Sequence, residues 1–215
     1  MTGVAMHGTP TYLPKARTEA FSDAVIAIIV TILVLEVKVP RLEGPDLEAG
    51  LHHAMLHALP VVAAYVLSFL VLLVFWVAHH HLLHSMRRVD RNFLWLNGVF
   101  LMLLAFVPVP TELMGEYPSA ALGSVLYGAA LAAAGLAFVA LRGYATRHGS
   151  LLHEAIPADT AREAVRKGLL SPVLYGAGAL AALVDPRIAW ALYVLVPLIY
   201  MWPGRFDRAA HALRE

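Results

Sequence analysis

The sequence contains no cysteine and very little charge. Of its 215 residues, 14% are charged and 60% are hydrophobic, and the mean hydropathy is +0.68. The absence of cysteine excludes disulfides and thiolate metal sites but leaves the redox compartment open. The shortage of charge excludes an ordinary water-soluble domain, so we predict an all-α integral membrane protein that does not bind nucleic acid.

Six apolar stretches are long enough to cross a bilayer, whose hydrocarbon core of about 30 Å takes roughly 20 helical residues. No small-residue cleavage site follows the first stretch, which we therefore interpret as a retained span and not as a signal peptide. We predict one six-helix transmembrane domain, residues 1–215, with spans at approximately 17–38, 50–84, 91–113, 119–142, 164–184 and 187–203.

The basic residues alternate between the two sides of this predicted bundle. If the N-terminus is cytoplasmic, 13 of the 16 Lys and Arg residues lie in cytoplasmic segments, and only Lys38, Arg41 and Arg187 lie outside. Cytoplasmic loops are enriched in Lys and Arg, so this asymmetry supports six spans with both termini in the cytoplasm.

Two segments carry structural expectations of their own. The longest loop, 142–168, is predicted to contain a helix capped by Asp159 or Thr160, which is either interfacial or an extension of the fifth span. The fourth span is rich in small residues such as Gly128 and Gly135, so we expect it to pack closely against its neighbours.

Polar residues cluster where the first three spans meet the cytoplasm. Ser22 and Asp23 open the first apolar run, the second span ends in FWVAHHHLLH, and Asn97 lies in the opening RNFLWLN of the third. An unpaired ion in or near hydrocarbon costs several kcal/mol. We therefore expect a buried network of Asp23, Ser22, a histidine and Asn97, which could pin three helices together, relay protons or sense pH.

The histidine cluster also raises the question of a metal. His80 and His84 have the i, i+4 spacing that brings two imidazoles to one ion, but no Glu follows the first histidine as in metalloproteases. No nucleophile, metal set or phosphate-binding loop stands out either. We expect neither a metal site, nor a cofactor, nor enzymatic activity.

One face of the first helix carries an apolar stripe. At 100° per residue, Ala24, Ile28, Thr31, Ile32 and Leu35 fall within about 60° of the line through Ile28, whereas Asp23 points about 140° away. The stripe could face lipid, another helix or an axis between subunits, and periodicity is compatible with all three.

The residues of this helix resemble a known family. Arg17, Phe21, Ser22 and Asp23 form an RxxxFSD pattern which, followed by AIIVTILVLE, is similar to the first helix of the transmembrane protein 175 family of lysosomal and bacterial potassium channels. The likeness continues through WVAHHHLL, DRNFLWLN and VPTELMGEYP, over roughly residues 15–118. It implies a prokaryotic single-repeat member: a homotetrameric channel for potassium ions in the lipid bilayer of the plasma membrane.

The resemblance also implies roles for particular residues. The first helix would line the pore, with Ile28 at the narrowest point, Thr31 acting in cation selection, and Ile32 and Leu35 extending the lining. A packing and gating network would occupy the cytoplasmic end; its members are Arg17, Phe21, Ser22, Asp23, Trp76, His79, His80 and Asn97. The family lacks the TVGYG filter of ordinary potassium channels, and so does this chain.

Charge supports a cation pathway at the opposite end. The predicted outer loops hold seven carboxylates against three basic residues, which would concentrate cations near the entrance. Glu36, at the end of the first helix, is the best placed of them. The alternative function is a proton-coupled secondary transporter that uses Asp23 and the histidines, although the chain has no internal repeat of the kind such transporters carry.

Overall fold

The computed structural model describes residues 14–38, 47–153 and 157–201. Within these ranges no residue lies in an extended strand, and strand-like pairing is limited to isolated bridges such as the one between Met86 and Leu152, so the prediction of an all-α protein is confirmed. The helices are α1 Lys15–Ile32, α2 Leu47–His84, α3 Arg91–Phe106, α4 Pro108–Glu116, α5 Ala121–Arg147, α6 Ala158–Gly168, α7 Leu170–Ala181 and α8 Pro186–Met201, with short 3-10 helices at Leu33–Glu36 and Gly149–Leu151.

Among the described residues, four helical segments are long and apolar enough to cross a membrane. They are Lys15–Glu36, Gly50–His84, Arg91–Glu116 and Ala121–Arg147. The fifth and sixth predicted spans coincide with shorter helices, since residues 164–184 cover the end of α6 and all of α7, and residues 187–203 overlap α8. The chain is a multi-pass membrane protein, and a count of six spans stays a prediction.

Proline and local geometry explain where helices begin. α4 starts at Pro108 directly after α3, because a proline at the first helical position lacks only an N–H that would be unpaired there. α6 starts at Ala158 after an extended Pro157, and no side chain caps it. The predicted cap at Asp159 or Thr160 is therefore wrong, since the fixed φ of Pro157 starts this helix earlier.

Small residues let α5 pack closely against α7 and α8, as predicted. A Cβ added at the buried Gly135 would lie 3.1 Å from Pro172 of α7, and one added at Gly128 would overlap the hydroxyl of Tyr193 in α8. The ring of Tyr193 also packs against Tyr127 of α5, with centroids 5.2 Å apart. This half of the bundle is held together by direct helix contact at glycine.

Helix α1 occupies a different position. It packs against α2 and α3, and its buried residues are Thr18, Ser22, Ile26 and Ile29. These positions recur every three or four residues and therefore form one face of the helix. None of the described residues covers the opposite face.

Candidate functional site

A buried chain of hydrogen bonds joins α1, α2 and α3. The Asn97 Nδ2 group of α3 donates to Ser22 Oγ of α1 at 2.9 Å, and Asn97 Oδ1 lies 2.8 Å from His79 Nε2 of α2. All three side chains are buried. A broken hydrogen bond here would leave buried polar groups unsatisfied. These hydrogen bonds therefore fix the relative position of the three helices.

The hydrogen-bond directions define the state of His79. Asn97 uses its amide nitrogen toward Ser22, so its oxygen faces the imidazole and His79 Nε2 must be the donor. In a neutral ring His79 Nδ1 is then a bare acceptor, and this atom is buried without a partner among the described residues. The ring stacks on Phe100 at 5.6 Å between centroids. The carboxamide of Asn97 interrupts a simple proton path between the histidine and α1. These hydrogen bonds are therefore better suited to holding the helices together than to relaying protons.

Asp23 makes a separate contact nearer the surface of the chain. Its Oδ1 accepts a hydrogen bond of 2.9 Å from Trp76 Nε1 of α2, and the Asp23 side chain is half-buried. Asp23 thus meets Trp76, another predicted member of the network, and takes no part in the buried hydrogen bonds of Ser22, Asn97 and His79. Adjacent helical residues point about 100° apart, so Ser22 faces the interior while Asp23 reaches along the helix surface to a tryptophan.

The remaining predicted members of the network lie at its exposed edge. His80 Nδ1 is 3.8 Å from Glu19 Oε1, and its ring stands 5.9 Å from that of Trp76. Arg17 and Phe21 are exposed, Phe21 to 61%. The described residues contain no group of three or more His, Cys, Asp or Glu side chains that could hold a metal ion.

The exposed face of α1 is the predicted apolar stripe, which Leu35 continues in the 3-10 helix Leu33–Glu36. Ala24, Ile28, Thr31, Ile32 and Leu35 are all exposed, with Ile28 at 57% and Leu35 at 70%. Large aliphatic side chains are therefore uncovered along more than two turns of the helix. A surface of this kind must be covered by lipid or by another subunit.

Thr31 is the polar residue within this stripe. Its hydroxyl donates to the carbonyl of Ile28 at 2.9 Å, on the preceding turn. Because the single hydroxyl hydrogen is donated to the Ile28 carbonyl, the lone pairs of Oγ1 point away from the helix backbone. The stripe therefore presents an oxygen acceptor, of the kind that can contact a partly dehydrated cation, about one turn beyond Ile28.

Charged residues gather beyond the other end of α1. Lys38 Nζ donates to Glu112 Oε1 of α4 at 2.6 Å, and this hydrogen bond raises the pKa of the Lys38 ammonium. Glu36 is half-buried and lies close to the same pair. The carboxylates expected at the outer mouth are thus partly neutralised, because Lys38 is held by Glu112.

The structure contains a second buried polar cluster that the sequence did not predict. The hydroxyl of Ser68 in α2 lies 2.8 Å from Thr111 Oγ1 in α4 and donates to the hydroxyl of Tyr127 in α5 at 3.0 Å. Each side chain is a lone hydroxyl within an apolar stretch. The sequence feature that could have predicted this cluster is the presence of hydroxyl groups at membrane depth, where each one needs a hydrogen-bond partner.

Comparisons with known proteins agree with this architecture. The family model described as the endosomal/lysosomal potassium channel TMEM175 matches residues 17–108. A protein of Streptomyces collinus named as a potassium channel is 38% identical over 190 residues, which are 86% of this chain and 91% of that protein. A protein of Chryseobacterium sp., also named as a potassium channel, is 34% identical over 206 residues, or 94% and 100% of the two chains.

A solved structure resembles the fold as well. The crystal structure of a lysosomal potassium-selective channel TMEM175 homolog from Chamaesiphon minutus aligns with a TM-score of 0.75 and 30% sequence identity, covering 86% of this chain and 95% of that one. The similarity extends beyond α3 into the half of the chain that the family model does not match. From its sequence, its helices and its relatives, this chain belongs to the TMEM175 potassium channel family.

Proposed function

We propose that this chain is the subunit of a potassium channel, in which four copies surround a central axis lined by α1. The observation that carries the proposal is the uncovered stripe of α1 in a chain of this family: its aliphatic side chains and the Thr31 oxygen point away from the subunit. The conducted ion is potassium, and no cofactor or enzymatic step is involved.

In this proposal Ile28 forms the constriction. A ring of isoleucines closes a pore because a cation entering it loses hydration without gaining ligands. Ile32 and Leu35 extend the apolar wall, and the Thr31 hydroxyls supply oxygen dipoles between them. Potassium passes more readily than sodium because its partial dehydration costs less.

The polar groups at the cytoplasmic end hold α1 in place. Hydrogen bonds link Ser22 of α1 to Asn97 of α3 and Asn97 to His79 of α2, and so hold α1 against both helices. The contact between Asp23 and Trp76 fixes the rotation of α1. Because these bonds lie on the faces of α1 away from the stripe, they set how far Ile28 projects toward the axis. A change in this network would therefore alter opening.

We further infer six spans and a cytoplasmic position for both termini. The distribution of Lys and Arg supports this orientation, and α7 and α8 would supply the two shorter crossings. The bacterial relatives favour the plasma membrane of a prokaryote as the location.

The experiment is to record currents from the purified protein in planar bilayers with potassium and sodium gradients. Ohmic single-channel currents that reverse near the potassium potential are expected. A saturable flux driven by a proton gradient, without unitary currents, would contradict the channel and favour a proton-coupled transporter.

Replacing Ile28 with Asn tests the constriction in the same recordings. The polar side chain should raise the cation leak about tenfold or more, since lowering the barrier by about 1.4 kcal/mol suffices for that factor. It should also blur the discrimination of potassium from sodium. Leu180→Asn on α7 is the matched control, because Leu180 is equally apolar and 69% exposed but lies outside the stripe. Unchanged leak in Ile28→Asn would remove Ile28 from the constriction.

A further inference from the structure

A cavity of about 390 Å³ lies between α3, α5 and α6, away from the stripe of α1. Most of its wall is apolar and includes Leu96 of α3, Val139 of α5 and Val165 of α6. Polar side chains line it only toward one end, at Tyr144 and Arg147. The cavity is open on one side, so a ligand could enter it from outside the helix bundle.

The cavity runs along the last turns of a candidate span. Val139 and Arg147 are eight residues apart on α5, which corresponds to about 12 Å along the helix. Because α5 ends at Arg147, the basic end of the cavity lies at a membrane surface and the apolar end lies at depth. Gly143 lines the wall between them, and a Cβ added there would meet nothing within 4 Å.

Among the described residues, no acidic side chain pairs with the positive charge at the polar end of the cavity. On the neighbouring α6, Arg162 is 3.4 Å from Asp159 and Lys167 is 2.8 Å from Glu163, so these cations have acidic partners. Arg147 has no acidic partner in the part of the chain that the structure describes.

Asp90, which contacts the lining residue Tyr144, is already engaged. One carboxylate oxygen of Asp90 accepts from the backbone N–H of Phe93, and the other accepts from the Tyr144 hydroxyl. Asp90 thus serves as the cap of α3 and as the partner of Tyr144. The guanidinium of Arg147 remains available to an anion from outside the protein.

We propose that this cavity binds one anionic glycerophospholipid of the leaflet at which α5 ends. The phosphodiester pairs with Arg147, whose planar guanidinium can donate two parallel hydrogen bonds to phosphate oxygens. An acyl chain lies along Gly143 and Val139 toward Leu96. The site lies on the side of α5 that contacts α3 and α6, so its occupancy ties α6 to the spanning helices.

The chemistry of the cavity favours a lipid over other occupants. A free phosphate would leave the apolar wall exposed, and a peptide would bring unpaired backbone polar groups to membrane depth, where each costs several kcal/mol. A lipid satisfies both ends at once, because it carries its charge at the surface and its hydrocarbon below. A zwitterionic lipid would match the wall but gain less from Arg147.

The test is a lipid titration of the delipidated full-length protein followed by native mass spectrometry. The probe is phosphatidylglycerol, with phosphatidylcholine of the same acyl chains as the charge control and inorganic phosphate in a parallel thermal-shift assay. Wild type should retain one phosphatidylglycerol more tightly than phosphatidylcholine. Arg147→Gln should bind it about fivefold more weakly, as expected for the loss of one basic side chain near an anionic membrane surface.

A second variant probes the apolar wall. Gly143→Leu should exclude the acyl chain and abolish the bound phosphatidylglycerol. Gly176→Leu on α7 is its matched control, because a Cβ at Gly176 also meets nothing within 4 Å, and Arg162→Gln is the control for Arg147. The proposal is overturned if Arg147→Gln binds like wild type, if folded Gly143→Leu does so, if phosphatidylcholine binds as tightly, or if inorganic phosphate alone stabilises the protein equally.

Discussion

Helices α1 and α5 are both long and apolar, yet the chain packs them in opposite ways. α5 buries ten residues, including Gly128 and Gly135, against helices of the same chain. α1 buries four, and one of these is the hydrogen-bonded Ser22. The neighbours of α5 are therefore supplied within the chain, whereas the exposed face of α1 must be covered by lipid or by another subunit.

This difference separates stability from conduction. Changes on the packed face of α5, or on the polar face of α1, should disturb the fold of the single chain. Changes on the uncovered stripe of α1 should leave the fold intact and alter the passage of ions. Substitutions on the two kinds of face test this division.

The largest effect is expected at Asn97. Replacing it with Leu leaves the Nε2–H of His79 and the hydroxyl of Ser22 buried without their partner, which should cost about 2–4 kcal/mol of stability. The midpoint of thermal or denaturant unfolding in detergent measures the loss.

Asp23→Asn is the comparison for this variant. The new side chain can still accept from Trp76 at the exposed edge of the network, so stability should change by at most about 1 kcal/mol, with the main effect on opening. If Asn97→Leu were as stable as Asp23→Asn, the buried hydrogen bonds of Ser22, Asn97 and His79 would not hold α1.

Glycine substitutions in α5 and α7 should have opposite effects on the free energy of unfolding. Gly128→Ala places a methyl group against the Tyr193 hydroxyl, and overpacking of this kind costs about 1–3 kcal/mol. Gly176→Ala meets open space and should be neutral or stabilising by up to about 1 kcal/mol, the helix propensity gained over glycine. Unfolding midpoints of the two variants provide the measurement, and equal midpoints would show that α5 and α8 do not meet at Gly128.

Thr31→Val should act on selectivity and not on the fold. The two side chains have nearly the same shape, but valine removes the oxygen that faces away from the helix. The potassium to sodium permeability ratio should fall about two- to tenfold, equivalent to the 0.5–1.5 kcal/mol net contribution of one hydrogen-bonding group. Reversal potentials report the ratio, with Thr31→Ser as the control that keeps the hydroxyl. A ratio identical in Thr31→Val would assign selection to other groups.

The smallest effect is expected beyond the end of the stripe. Glu36→Gln should lower potassium conductance at low salt by about twofold, the effect of one unit charge some 8 Å from a cation in water. Lys38→Gln should raise it, because Glu112 loses its partner. Both effects should vanish near 1 M salt, where the Debye length is about 3 Å. Persistence at high salt would point to a packing role for these residues.

The sequence was sufficient to predict the helical class and the meeting of Ser22, Asn97 and a histidine. Length, hydropathy and the side of the membrane on which each polar residue lies determine these features. Length, hydropathy and membrane side can each be read from the sequence without knowing how the helices pack.

Contacts between distant helices could not be derived in the same way. The partner of Asp23 is Trp76, 53 positions away, and that choice depends on the rotation of α1 against α2. The Ser68 cluster joins residues 43 and 59 positions apart with no periodic pattern. Such pairs depend on helix rotation and depth, which single-helix periodicity does not specify.

The most direct test of the central claim uses the natural absence of cysteine. Ile28→Cys would place a single thiol on the exposed stripe, and Leu180→Cys would place one at an equally accessible apolar position of α7. Mild oxidation of the assembled protein should join Ile28→Cys subunits into disulfide-linked dimers on a non-reducing gel, whereas Leu180→Cys stays monomeric. An Ile28→Cys protein that stays monomeric while its thiol reacts with a lipid-soluble reagent would contradict a pore lined by α1.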